Sequence, residues 1–78
     1  MKIEIFGRSA PHCPFCEAAK SFCERFGKEF TYSDMSKGEW DPAQMAERLG
    51  HPVRTVPVVF VDDKFIGGAA ELGDLLRK

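Results

Sequence analysis

The chain has 78 residues, 44% of them apolar, 12% aromatic and 29% charged, with a formal net charge of −1. This describes one small globular domain, residues 1–78, with a thin core. The absence of a basic run argues against nucleic acid as the main partner, and no apolar stretch reaches the roughly 18 residues needed to span a bilayer.

Residues 2–6, "KIEIF", alternate polar and apolar and predict a β-strand. The opening "MKIEIFGR" lacks the continuous apolar segment of a signal peptide, so the expected location is the cytoplasm. The loop "GRSAPH" follows. Pro14 suits the first position of a helix, where a missing N–H costs nothing. Phe15, Ala18, Ala19, Phe22 and Phe26 recur at helical spacing as one apolar face, and Gly27 is a C-terminal stop. The spacing therefore predicts a helix over 14–26 with Cys13 at its N-terminal edge.

Residues 29–33, "EFTYS", alternate again with Phe30 and Tyr32 on one side. This second strand is parallel to the first if the helix is a crossover. In the connector "DMSKGEW", Trp40 reads either as a staple packing before the next helix or as a partner contact on an exposed loop. Asp41 as N-cap, Pro42 at the first position and Gln44 three residues after the cap mark a helix start. Met45, Ala46 and Leu49 form its inward face, and Gly50 ends it. After the loop "HPVRT", residues 56–61, "VPVVFV", are apolar on both faces and predict a central strand. "DDK" is a turn, "KFIG" a short hairpin strand, and Leu72, Leu75 and Leu76 mark a last helix after Gly67-Gly68. The order is βαβαββα.

Three cysteines is a low, odd number for a disulfide-stapled secreted domain, and in a reducing compartment a C-x-x-C pair is catalytic or metal-binding more often than structural. Cys13 and Cys16 lie three apart on a helix, within disulfide reach. The helix N-terminus carries about half a positive charge and unpaired N–H groups. It should stabilise a thiolate on Cys13, with Arg8 and His12 adding positive potential, and lower that thiol below the free value of about 8.5. Cys13 is then the attacking thiol and Cys16 the resolving one. Pro14 fixes the first turn, and Phe15 either shields the pair or belongs to the core. A structural zinc site would want four ligands, commonly two such pairs, where this chain has one pair, Cys23, His12 and His51. A purely structural bridge would close too small a loop to constrain the unfolded chain. Cys23 reads as a small buried apolar residue or as a side thiol open to oxidation or glutathionylation.

Four features in order resemble the glutaredoxins of the thioredoxin-fold superfamily: "CPFC" at 13–16, "TVP" at 55–57, "IGG" at 66–68 and the βαβαββα succession. The resemblance covers nearly the whole chain and extends in size to the compact bacteriophage glutaredoxins. It implies an α/β, thioredoxin-like fold: a four-stranded mixed sheet flanked by three helices. It implies that Cys13 forms a mixed disulfide with glutathione and that Cys16 resolves it. Thr55, Val56 and Pro57 would form the glutathione rim, with Pro57 in cis and the Val56 backbone pairing with the glutathione cysteine like an added strand. Arg8 and Arg54 become candidates for the glycine carboxylate; each would otherwise be a solvated surface charge. Gly68, Ala69, Ala70 and Glu71 would receive the γ-glutamyl end, backbone N–H groups taking its carboxylate and Glu71 its amine. Two positions depart from the family pattern: the loop "GRSAPHC" is two residues longer than is common, and Ala70 lacks the usual hydroxyl or carboxylate.

The function so implied is that of a cytoplasmic, monomeric dithiol glutaredoxin reducing protein disulfides and glutathione mixed disulfides. Glutathione is the co-substrate, with no tightly bound cofactor and no metal, and ribonucleotide reductase is a client the family suggests. Two other readings stand beside it: a glutaredoxin-like thioredoxin recharged by a flavoprotein reductase, and an iron–sulfur or metal carrier.

Overall fold

A computed structural model describes residues 1–77. Its elements are β1 (Ile3–Gly7), α1 (Pro14–Arg25), β2 (Phe30–Asp34), α2 (Pro42–Leu49), β3 (Val58–Val61), β4 (Lys64–Gly67) and α3 (Ala69–Leu76), with a 3-10 turn at Met35–Lys37 between β2 and α2. The strands form one mixed sheet in the order β2-β1-β3-β4. β1 runs parallel to β2, as a crossover through α1 requires, and antiparallel to β3; β3 and β4 form an antiparallel hairpin. This is the expected βαβαββα fold.

Period-two alternation decides which helix covers which face of the sheet. Ile3 and Ile5 of β1, with Val59 and Val61 of β3, turn towards α1 and α3 and pack with Ala19, Cys23, Ala69, Leu72 and Leu76. Val58 and Phe60, with Phe6, turn the other way and pack against Met45, Leu49 and Trp40 around α2. The two-sided apolar character of β3 is thus used in full. Ile3, Ile5, Val59 and Leu72 are the largest of the fully buried apolar side chains. At roughly 1.5–3 kcal/mol for each such side chain, the layer under α1 and α3 carries most of the hydrophobic stabilisation.

The helix starts obey their caps. Asp41 Oδ1 accepts from the Ala43 N–H at 2.8 Å, and Gly50 closes α2 in the left-handed conformation (φ 81°). Asp62 and Asp63 both have positive φ (51° and 67°), as a two-residue hairpin turn needs. β3 begins at Val58 and not at residue 56, because Pro57 has no N–H to give to a ladder. The Val56–Pro57 bond is cis, as the resemblance implies; Ala10–Pro11 is cis as well.

The inward face of α1 differs from the one read in the sequence. Phe15 and Phe26 are exposed, and the buried stripe is Cys16, Ala19 and Cys23, with Ala18 and Phe22 at its flank. Cys23 is the small buried apolar residue its first reading gives, and Cys16, expected as the resolving thiol, packs in the same stripe, so that α1 sits close to the sheet.

The long loop after β1 is held by the end of β2. Asp34 is buried, and its Oδ1 accepts from the N–H groups of Ser9 (3.1 Å) and Ser36 (2.8 Å). Ser36 Oγ accepts from Ala10 N–H at 2.9 Å and donates to the Ala10 carbonyl at 2.7 Å. These bonds, led by the Ser9 interaction, hold the Asp34 carboxyl below its ordinary range against the opposing effect of its own burial. A carboxyl depressed on folding adds stability above its unfolded pKa of about 3.9 and loses that contribution as pH falls through the folded value. Urea unfolding of the wild type and Asp34→Asn should therefore differ most at neutral pH. The gap should close as the pH is taken from about 5 to about 2.5; a gap constant across that range would contradict the assignment.

Candidate active site

Cys13 and Cys16 are joined as a disulfide, with Cα atoms 5.3 Å apart. Cys13 is itself the N-cap of α1: its Sγ accepts the Cys16 N–H at 3.2 Å. When the bridge is reduced, that N–H and the positive end of α1 favour negative charge on the Cys13 sulfur and not on Cys16. Cys16 is fully buried and Cys13 is 4% exposed, so Cys13 is the edge of the bridge that reaches the surface, by a narrow opening.

Three hollows are lined by residues flanking the bridge in sequence or in space. The Val56 carbonyl lies 4.0 Å from Cys13 Sγ. One groove of about 340 Å³ runs past Arg54, Thr55, Pro57, Gly67, Gly68 and Glu71. A second cleft of about 210 Å³ on the other side of the 53–56 segment holds Arg8, Arg54, Thr55 and Val56. A third hollow between α1 and α3 holds Phe15, Ala69 and Ala70. Phe15, 69% exposed, forms a wall of that hollow and no part of the core; Pro14 is exposed at the first helical position.

Each charged candidate has a defined setting. Arg8 Nε donates to the Pro11 carbonyl at 3.2 Å, folding the loop back on itself. Arg54 forms no ion pair or hydrogen bond among the described residues. Glu71 Oε1 accepts the Gly68 N–H at 2.7 Å and so closes the start of α3. Gly67 has φ 121°, and a Cβ there would lie 2.6 Å from the same carboxylate oxygen, so only glycine fits that turn.

Gly7 and Tyr32, to which the sequence assigns no role at the site, support the bridge from below. A Cβ on Gly7 would lie 2.8 Å from Cys16 Sγ and 2.7 Å from the Tyr32 hydroxyl. The Tyr32 hydroxyl donates to the Arg8 carbonyl at 3.2 Å, and burial pushes its pKa up. Trp40 Nε1 donates to the Gly7 carbonyl at 2.8 Å. Trp40 is thus a packing residue with a fixed polar end, edge-on to Phe6. A glycine directly after a strand and before a loop was the available signal for this close approach. Cys23 is fully buried in the core, and burial, with a smaller effect from Glu24, pushes its thiol up. That is the setting of a packed apolar residue and not of a reactive side thiol. Among the described residues, no three His, Cys, Asp or Glu side chains come together as a metal site. No helix among them is long and apolar enough to cross a membrane.

Comparison with known proteins gives a consistent result. The family model described as Glutaredoxin matches residues 3–66. Glutaredoxin 1 of Salmonella typhimurium is 40% identical over 72 residues, covering 86% of this chain and 80% of the relative. The structure of reduced Escherichia coli glutaredoxin superposes with a TM-score of 0.82 at 32% identity, covering 99% of this chain and 94% of that one. A buckwheat glutaredoxin, solved as a glutathione complex, superposes with a TM-score of 0.76 at 26% identity, covering 96% of this chain and 67% of its own.

Gly7→Ala should destabilise the protein by about 1–3 kcal/mol, the usual range for overpacking, read as a lower urea midpoint with unchanged slope. Full stability would show that the Tyr32 and Cys16 side chains can move aside. At position 23, Cys23→Ala should keep disulfide exchange intact, while Cys23→Ser should cost about 1–3 kcal/mol by burying a hydroxyl without a partner. Loss of exchange in Cys23→Ala, with the fold intact by circular dichroism, would give this thiol a redox role.

Proposed function

The chain belongs to the glutaredoxin family and is a thiol–disulfide oxidoreductase; from that premise we propose that it is a glutathione-dependent dithiol enzyme. The observation that carries this reading is the Val56 backbone. It lies 4.0 Å from Cys13 Sγ, and among the described residues its N–H and C=O form no backbone hydrogen bond. An extended peptide can therefore pair with it as an added strand and bring its own sulfur to Cys13. The buckwheat neighbour solved with glutathione supports glutathione as that peptide.

The Cys13 thiolate, favoured by the Cys16 N–H, attacks the glutathione sulfur of a mixed disulfide. The client leaves as a thiol, and glutathione remains bonded to Cys13. A second glutathione thiolate attacks its partner sulfur, releasing glutathione disulfide and restoring Cys13. With a protein disulfide, Cys13 attacks one client sulfur and Cys16 then attacks Cys13. The two electrons pass to the client, and the Cys13–Cys16 bridge forms. Pro57 places no N–H near the thiolate. Thr55, Val56 and Pro57 form the rim, Arg8 and Arg54 attract the glycine carboxylate, Gly68 shapes the turn that receives the γ-glutamyl end, and Ala69 and Ala70 offer backbone N–H groups to its carboxylate. Glu71 has one oxygen on Gly68 N–H and offers the other to the γ-glutamyl amine. The proposed setting is a monomer in the cytoplasm. Ribonucleotide reductase as a client rests on family resemblance.

The test is turnover of a glutathionylated peptide. Wild type should turn over with glutathione and glutathione reductase, and Cys13→Ser should have no detectable activity. Cys16→Ser should keep much of that activity while losing the reduction of protein disulfides. Turnover supported only by thioredoxin reductase would overturn the assignment of glutathione as the electron source. A Cys16→Ser variant as inactive as Cys13→Ser on glutathione mixed disulfides would overturn the monothiol route.

A further inference from the structure

The cleft behind Val56, about 210 Å³, joins a basic pair to an apolar wall. Its charged lining residues are Arg8 and Arg54, with no carboxylate among those lining it, although the chain as a whole has a formal net charge of −1. The nearby carboxylates are engaged elsewhere: Asp34 holds Ser9 and Ser36 N–H groups, Glu39 Oε1 accepts Asp34 N–H at 2.7 Å, and Asp41 caps α2. The rest of the wall is Met35, Trp40, Pro42 and Val53. Trp40 is fixed there by its bond to the Gly7 carbonyl. With the γ-glutamyl end at α3 and the cysteine on Val56, the residue that follows the cysteine falls at this cleft. In glutathione that residue is glycine, which has no side chain to place against an apolar wall.

We infer that this cleft selects protein clients, taking an extended segment in which the reacting cysteine is followed by an apolar residue and then an acidic one. The apolar side chain packs on Trp40, Met35 and Val53; the acidic side chain, on the opposite side of the extended segment, meets Arg54, which lines both this cleft and the groove beside Pro57. The inference rests on the peptide orientation given under Proposed function and extends it from glutathione to protein disulfides. The chemistry is the dithiol step: the Cys13–Cys16 dithiol becomes a disulfide, the client disulfide becomes two thiols, and two electrons and two protons pass between them.

The test uses symmetrical disulfides of short, end-blocked peptides with one cysteine each, followed by leucine–glutamate, leucine–lysine or glycine–glutamate. The whole protein is pre-reduced, freed of reductant and mixed with each peptide in a single turnover without glutathione, so the result does not depend on glutathione as electron source. The leucine–glutamate peptide should react about tenfold faster than leucine–lysine at low ionic strength, with the ratio shrinking as salt is raised. It should also react several-fold faster than glycine–glutamate. Arg54→Glu should reverse the glutamate-over-lysine preference. Rates within twofold for all three peptides, or a preference unchanged by Arg54→Glu, would overturn the inference. The glutathione reading is judged separately by turnover of the glutathionylated peptide.

Discussion

Cys13 does two things with one atom. Its sulfur is the cap of α1, accepting the Cys16 N–H at 3.2 Å, a task usually given to Ser, Thr, Asp or Asn. The same sulfur is the group that must carry negative charge. Helix start and reactive centre are therefore one feature. The surrounding structure keeps that helix start in place: β1 ends beneath it, α1 lies flat on the sheet through Cys16, Ala19 and Cys23, and the 53–57 segment sets the Val56 carbonyl against it. The limiting contact is at Gly7, where no side chain fits between the strand and Cys16.

Around this centre, acidic groups are turned to structural use. Asp34, Glu39, Asp41 and Glu71 each accept from a backbone N–H, and Glu17 pairs with Lys20 on the outer side of α1. Most of these bonds fix a loop or a helix end, and together they leave Arg8 and Arg54 without a carboxylate partner among the described residues. A chain with almost no net charge thus presents a local field by assigning its carboxylates to its own backbone.

Much of this was legible in the sequence. The alternation of "KIEIF", the Asp41-Pro42 start of α2, the two-sided apolar run at 56–61 and the C-P-F-C motif at a helix start each lead to the observed element, because each rests on local periodicity or local capping. The parts not legible depend on contacts between distant segments. The face of α1 is not legible from spacing because Phe15 and Phe26, both exposed, mimic a core stripe, while Cys16 is ambiguous between chemistry and packing. The anchoring of the long loop joins Ser9 to Asp34 across 25 positions, and nothing local announces it. Gly7 reads as an ordinary loop glycine until Cys16 and Tyr32 are seen to close over it. The residues expected to bind glutathione are divided among three hollows, a division that linear order does not reveal.

Cys23 has a bearing beyond packing. The chain has three cysteines, and nothing in their spacing forbids an unfolded chain from joining Cys23 to either of the others. In the folded protein Cys23 is sealed under α1, and with its thiol held protonated it is a poor nucleophile. Thiol–disulfide exchange requires access as well as a thiolate. Native packing therefore also proofreads the pairing: the fold that exposes one edge of the bridge to clients withholds the one internal thiol that could scramble it.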